Sequence, residues 1–286
     1  MRSEKKPFDP RATLGAAAEI RKGIIRALEA AGSGHIGGSM SAADILAVLY
    51  TDILDVDPED PGRFDRDWLV LSKGHCGPAL YAALANKGFF DPEALLTLNQ
   101  GGTMLPSHCD RLKTPGIDIS TGSLGQGLSL AAGVALGKRL RHIPGRVFAI
   151  LGDGELQEGQ NWEAFLFIAH RKLRNLITVI DNNRRQLDGY TADICAEEDL
   201  SQKLEAFGFD VKRICGHDVF ALYNTFSAAG DGEKPLAVIC DTEKGHGCCI
   251  SEISGFNHYM PVSHEDAARA LEDIERRLEA AYEQIS

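Results

Sequence analysis

Apolar residues change their spacing several times along the chain, and each change marks an element. From Asp9 to Gly32 they recur at helical intervals, in "RATLGAAAEIRKGIIRALEAA". Asp9 is a helix-capping residue type, Pro10 suits the first helical position, and Gly32 suits the stop. The loop "GSGHIGG" follows (Gly32 to Gly38), and Ser41-x-x-Asp44 then reads as a capping-box variant opening "AADILAVLY". "WLVLS" (Trp68 to Ser72) predicts a short strand, and a helix is expected from about Pro78. Further on, the glycine-rich "STGSLGQG" feeds a helix rich in alanine and glycine.

The middle of the chain carries the strongest pattern. "RVFAILGD" and "NLITVIDN" are apolar, partly β-branched runs separated by a helix-patterned segment in which Trp162 and Phe165 read as packing residues. Such a strand–helix–strand unit implies parallel strands joined by a right-handed crossover. "FDVKRI" and "LAVICDT" are further strand candidates, and an amphipathic helix is expected from about 263 to 284. The expectation is one α/β domain over residues 1–286, with a doubly wound, mainly parallel sheet flanked by helices and a helical N-terminal region over about residues 9–60.

Composition narrows the function. The chain has 286 residues, 44% hydrophobic and 25% charged, which suits a soluble globular protein with a large core. A net charge of −11, without basic runs interleaved with aromatics, argues against nucleic acid as a partner. No apolar stretch is long enough to span a membrane, and "MRSEKKPFDP" lacks the core of a secretory signal, so a cytoplasmic protein is expected. Seven cysteines, odd in number and without a CxxC pair, fit free thiols better than disulfides or zinc.

The chemistry concentrates where two strand candidates end. In open parallel sheets ligands bind beyond the carboxyl ends of the strands. Asp153 sits there between Gly152 and Gly154, and Asn183 follows the next strand, so a carboxylate and an amide oxygen are brought side by side. Both are hard oxygen ligands suited to Mg²⁺. The glycines leave room for the backbone to approach a diphosphate, and the following helix start offers N–H donors.

The segment "GDGELQEGQNWEAFLFIAHRKLRNLITVIDNNRRQLDG" (Gly152 to Gly189) resembles the thiamine diphosphate motif of transketolases. "SGHIGGSMSAADIL", "LSKGHCGPALYAAL" and "TPGIDISTGSLGQGLSLAAGVALGK" extend the resemblance in order, so that it covers most of residues 10–260. It implies thiamine diphosphate as cofactor with Mg²⁺, or Ca²⁺ or Mn²⁺ in its place. Asp153, Asn183 and the main-chain carbonyl of Arg185 would hold the metal, and Gly122, Ser123 and Leu124 would line the cofactor's rings. Gly152, Gly154, Glu155, His75 and His258 would also meet the cofactor. Glu158 would stand near a dimer axis, against the simpler reading of an acid at a helix start.

The resemblance also implies ketol transfer between sugars or sugar phosphates. One-chain transketolases continue into a pyrimidine-binding module that supplies an activating glutamate. This chain stops at residue 286, so the expectation is the N-terminal subunit of a two-chain enzyme, in an α2β2 assembly with a C-terminal transketolase subunit.

Imidazole suits the proton movements of such a reaction. His35, His75 and His108 match three of the family's histidines. For the fourth, spacing from the last strand favours His258, with His246 as the competitor. His142, His170, His217 and His264 read as structural. The α chain of a 2-oxoacid dehydrogenase shares the GDG and Asn signature but lacks the "SGHxGGS" and "SKGH" blocks. A deoxyxylulose-phosphate synthase shares more of them in a single longer chain, and a non-catalytic cofactor-binding subunit is the remaining alternative.

Overall fold

A computed structural model of the chain describes residues 7–195 and 199–285. Its strands are β1 (Ser33–Gly34), β2 (Trp68–Leu71), β3 (Val147–Gly152), β4 (Leu176–Asn182), β5 (Asp210–Cys215), β6 (Leu236–Asp241) and β7 (Met260–Pro261). Five of them form a parallel sheet in the order β2-β3-β4-β6-β5. β1 and β7 make a separate antiparallel ribbon, with Ser33 opposite Pro261 and Gly34 opposite Met260.

Helices cover both faces, which is why the inner strands read as unbroken apolar runs. Phe148 and Ile150 pack toward Pro10–Ala31, Gly77–Lys87 and Val219–Ser227, while Ala149 and Leu151 pack toward Gln126–Leu140 and Gly159–His170. The chain steps from β3 to β4 through Gly159–His170 on one face, then steps back from β5 to β6 through Val219–Ser227 on the other. Right-handed crossovers require this change of face when the direction reverses. The edge strand β5 is largely exposed and carries Lys212 and Arg213, charges that discourage edge-to-edge pairing.

Local chemistry accounts for most element ends. Asp9 Oδ1 accepts from the backbone N–H of Arg11 and Ala12, and Gly32 ends the first helix at φ 79°. At Gly23 a Cβ would lie 2.8 Å from Ala82 Cβ, so glycine lets the first helix approach Gly77–Lys87 closely.

The expected capping by Ser41 and Asp44 does not occur. The segment forms two short helices, Gly37–Ser41 and Ala43–Val48, with Asp44 buried inside the second. Asp44 is bound by both Nη atoms of Arg21, at 2.9 and 2.6 Å, and by His217 Nδ1 at 2.8 Å. A buried carboxylate needs a charged partner more than a helix end needs a cap, and tertiary pairing wins.

For the site, the register matters most: Gly152 lies opposite Asp181, and Asn182 opposite Asp241. The residues just past these pairs share one rim.

Candidate active site

A cavity of about 250 Å³ opens beyond the carboxyl ends of β2, β3, β4 and β6. Lys73 and His75 reach it from the turn after β2, Asp153 from the end of β3, Asn183 and Arg185 from the end of β4. Lys244 and His258 come from beyond β6, and His35 from beyond β1.

Asp153 is 1% exposed. Its Oδ1 accepts from the Gly154 N–H at 2.9 Å, while Oδ2 is buried without a hydrogen-bond partner. Burial, reinforced by the nearby charge of Asp181, raises this carboxyl to about 7. Asn183 donates through Nδ2 to Asp181 Oδ2 at 3.3 Å and to Ser41 Oγ at 3.4 Å, which fixes its orientation. Its Oδ1 accepts the Arg185 N–H at 3.2 Å and keeps a second lone pair. The Arg185 carbonyl receives a long contact of 3.5 Å from Lys244 Nζ. A buried oxygen without a partner, beside an amide oxygen and a main-chain carbonyl, is a donor set that a hard divalent cation fits.

Two lysines escaped the sequence reading. Lys73 Nζ donates to the Gly38 carbonyl at 3.0 Å and forms an ion pair with Asp181. Asp181 also accepts from Ser41 Oγ at 2.6 Å and from the hydroxyl of Thr242. Burial works to raise the Asp181 carboxyl, but Lys73 and these hydroxyls hold it below its ordinary value. Burial likewise works to lower the Lys73 ammonium, and the charge of Asp181 keeps it above its usual range. Lys244 is lowered to about 8, by burial first and then by Lys73. The available signal was positional, since Lys73 and Lys244 lie two and three residues past a strand end, where a diphosphate needs positive charge.

Four histidines converge on the cavity. The ring centre of His35 lies 5.3 Å from His75, 5.9 Å from His108 and 5.2 Å from His258, and His75 lies 5.1 Å from His258. Burial lowers His35 and His258 to about 4 and His75 further still; His108 adds to the shift at His35, Lys73 at His75 and Lys244 at His258. These three imidazoles are therefore neutral at physiological pH, each able to donate at one nitrogen and accept at the other. Lys244 Nζ approaches His258 Nδ1 at 3.2 Å, leaving the hydrogen on Nε2.

His246 lies elsewhere, stacked on His217 with ring centres 3.6 Å apart. With Asp44 these two form a group close enough to hold a metal, but it is closed. His217 Nε2 accepts from the Glu243 N–H at 2.9 Å, so Nδ1 carries the hydrogen that faces Asp44, and Arg21 occupies the rest of that carboxylate.

The other expected residues are placed at and around the cavity. Gly122 and Leu124 line the cavity, but Ser123 does not: its side chain is exposed and its carbonyl accepts the Gln126 N–H to start the helix. Glu155 lines the cavity but spends its carboxylate on the protein, taking N–H groups of Gly125 (3.0 Å) and Gly152 (3.2 Å) and the Ser72 hydroxyl. At Gly154 a Cβ would come 2.6 Å from Gln186 Cβ, so this glycine admits the neighbouring loop. At Gly152 the nearest side-chain atoms are 3.9 Å away, and the space a Cβ would fill belongs to the cavity. Glu158 is exposed at the start of Gly159–His170 and makes no side-chain cap.

A carboxylate–amide pair at adjoining parallel strand ends, facing two lysines, defines a diphosphate-binding module of the cofactor-dependent α/β enzymes. Residues 14–275 match the family model described as "Transketolase, thiamine diphosphate binding domain". The chain belongs to the transketolase family, transferases that move a two-carbon ketol unit, and it forms the part that binds thiamine diphosphate.

The 6-deoxy-6-sulfo-D-fructose transketolase subunit SqwG of Clostridium sp. is 46% identical over 258 residues, covering 90% of this chain and 94% of that protein. An apulose-4-phosphate transketolase subunit of Actinobacillus succinogenes is 37% identical over 257 residues, covering 89% and 92%. The solved transketolase of Leishmania mexicana superposes with a TM-score of 0.86 at 30% identity, over 93% of this chain and 41% of that one. For the Campylobacter jejuni transketolase the values are 0.87, 29%, 94% and 43%. The chain thus spans less than half of these solved transketolases and nearly all of the two subunits. Among the described residues no helix is long and apolar enough to cross a membrane.

Proposed function

We propose that this chain is the diphosphate-binding subunit of a two-chain transketolase, a single such domain, acting with thiamine diphosphate and Mg²⁺. The observation that carries the metal assignment is the buried, unpartnered Oδ2 of Asp153 beside Asn183. Asp153, Asn183 Oδ1 and the Arg185 carbonyl hold the cation, with Ca²⁺ or Mn²⁺ able to replace it. Lys73 and Lys244 offset the diphosphate charge, the open space over Gly152 admits it, and Gly122 and Leu124 line the ring side.

When bound, thiamine diphosphate supplies the nucleophilic carbon that receives the two-carbon unit. The chain's own residues do the rest on this side. His35, His108 and His258 would grip sugar hydroxyls and carry protons to and from them, and His75, in the same cavity, would meet both cofactor and sugar. The lowered, neutral rings of His35 and His258 serve this work because a charged ring could donate but not accept. His35 and His75 within one cavity favour sugar transfer over the 2-oxoacid dehydrogenase reading.

The remaining machinery comes from a C-terminal subunit with a pyrimidine-binding module, in an α2β2 assembly. Support comes from the two relatives named as subunits, which this chain matches over nearly their whole length. Both of their names specify a ketose bearing an anionic group, a sulfonate or a phosphate. We read the substrate here as a ketose of that kind, transferred to an aldose. Free thiols at all seven cysteines support a cytoplasmic location.

Mixing the purified chain with the product of the neighbouring gene, thiamine diphosphate and Mg²⁺ tests this. Two-carbon transfer to an aldose is expected from the mixture and from neither chain alone. Activity confined to pyruvate would overturn the reading.

A further inference from the structure

Arg185 faces two ways. Its main-chain N–H donates to Asn183 Oδ1 at 3.2 Å and its carbonyl lies 3.5 Å from Lys244 Nζ, among the groups assigned above to the cation. Its guanidinium reaches outward, where Nη1 donates to the Gly255 carbonyl at 3.1 Å and Nη2 to Tyr190 Oη at 2.8 Å. The guanidinium carbon also sits 4.6 Å from the centre of the Tyr190 ring.

Tyr190 closes the loop that Arg185 opens. The two residues form an antiparallel bridge, Gln186 N–H donates to the Gly189 carbonyl at 2.9 Å, and Thr191 N–H to the Arg184 carbonyl at 3.1 Å. Residues 184–191 therefore behave as one small unit.

Gly255 belongs to a different segment, the one that leads to His258. That segment is held at Asn257, whose Nδ2 donates to the carbonyls of Lys244 and Ser251 at 2.9 and 3.0 Å. Ahead of Asn257 it carries exposed Ile253 and Phe256, so little apolar packing fixes it there. Two side chains bridge it to the loop after β4. Lys244 Nζ touches the Arg185 and Gln186 carbonyls at 3.5 and 3.3 Å and His258 Nδ1 at 3.2 Å, and the Arg185 guanidinium holds Gly255.

These bridges respond differently to a ligand. A cation on the Arg185 carbonyl competes with the long Lys244 contact on that same oxygen. The guanidinium bonds lie on the far side of the residue and are untouched. We propose that Arg185 is a positioning residue whose side chain couples occupation of the metal–diphosphate site to the placement of His258. The proposal rests on the functional reading above. An arginine that only stiffened the surface would protect the His258 segment equally with and without ligand.

Hydrogen exchange on the chain assembled with the product of the neighbouring gene, with and without Mg²⁺ and thiamine diphosphate, separates the cases. In the wild type, ligand should slow exchange in both 184–191 and 253–261, by about tenfold. Arg185→Ala keeps the carbonyl, so 184–191 should remain protected while ligand-dependent protection of 253–261 falls to within about twofold of none. Tyr190→Phe, which removes one acceptor and keeps the ring, should give an intermediate value and carries the test if the alanine variant does not fold. Undiminished protection of 253–261 in these variants, or wild-type protection confined to 184–191, overturns the coupling. No protection of either segment in the wild type overturns the functional reading, and the coupling with it.

Discussion

Lys73 and Asp181 form an ion pair in which the two side chains are 2% and 0% exposed, joining the turn after β2 to the penultimate residue of β4. The pair lies beneath the proposed diphosphate position and places a permanent cation there. Removing one member of a buried pair costs far more than removing both, because the survivor keeps its desolvation penalty.

Lys73→Met should therefore destabilise the chain by about 3–5 kcal/mol, and adding Asp181→Asn should recover a large part of that. The folded-state pKa of Asp181 is depressed, so its stabilising contribution is present above the ordinary aspartate range and lost as pH falls through the lowered value. Urea unfolding at neutral pH and near pH 3 measures both effects.

Asp153 should behave in the opposite sense. Its carboxyl is raised to about 7, so the ligand-free native state binds more protons than the unfolded state between about pH 4 and 7. Stability contributed by this group falls as pH rises through that window. Asp153→Asn should leave stability near pH 4 unchanged, raise it at pH 8 by on the order of 2 kcal/mol, and abolish any thermal shift caused by Mg²⁺ with thiamine diphosphate. Thermal melts at the two pH values, with and without ligand, check all three outcomes.

The histidine cluster makes the chain acid-sensitive. His35 and His258 are lowered to about 4, while an unfolded histidine titrates near 6.5. The unfolded state thus binds more protons between those values, and stability rises with pH across the interval and is lost on acidification. Proton uptake on unfolding, measured by calorimetry at pH 5 in buffers of different ionisation enthalpy, should fall in His35→Asn and again in His35→Asn with His258→Asn.

His258 and His246 should separate by activity. In the assembled enzyme His258→Ala should lower kcat/KM by about 10²-fold or more, as loss of a proton-transferring group does. His246→Gln should stay within about threefold of wild type, because its ring stacks on His217 outside the cavity. Steady-state kinetics of the two variants with one ketose donor decide this.

The elements readable in the sequence were those set by local chemistry. Asp9, Pro10 and Gly32 bound the first helix through their own backbone preferences, and the apolar runs of β3 and β4 announce strands buried on both faces. The meeting of Asp153 and Asn183 was legible because a β-α-β unit fixes which strand ends are neighbours. What stayed hidden depends on distant partners. Asp44 looked like a capping residue until Arg21 and His217 claimed it. Lys73 drew no assignment because its partner lies 108 positions away. The carboxylate contacts of Glu155 with Gly125 and Ser72 were hidden in the same way.

The two-rung ribbon of β1 and β7 has a consequence for redesign. Its first strand ends immediately before His35 and its second begins two residues after His258, so main-chain pairing between stretches far apart in the sequence sets the gap between these rings. A protein engineer can thus recut much of the pocket wall to admit another sugar without respacing that pair, whereas a tag, splice or protease nick that pries the rungs apart would spoil an otherwise intact catalyst.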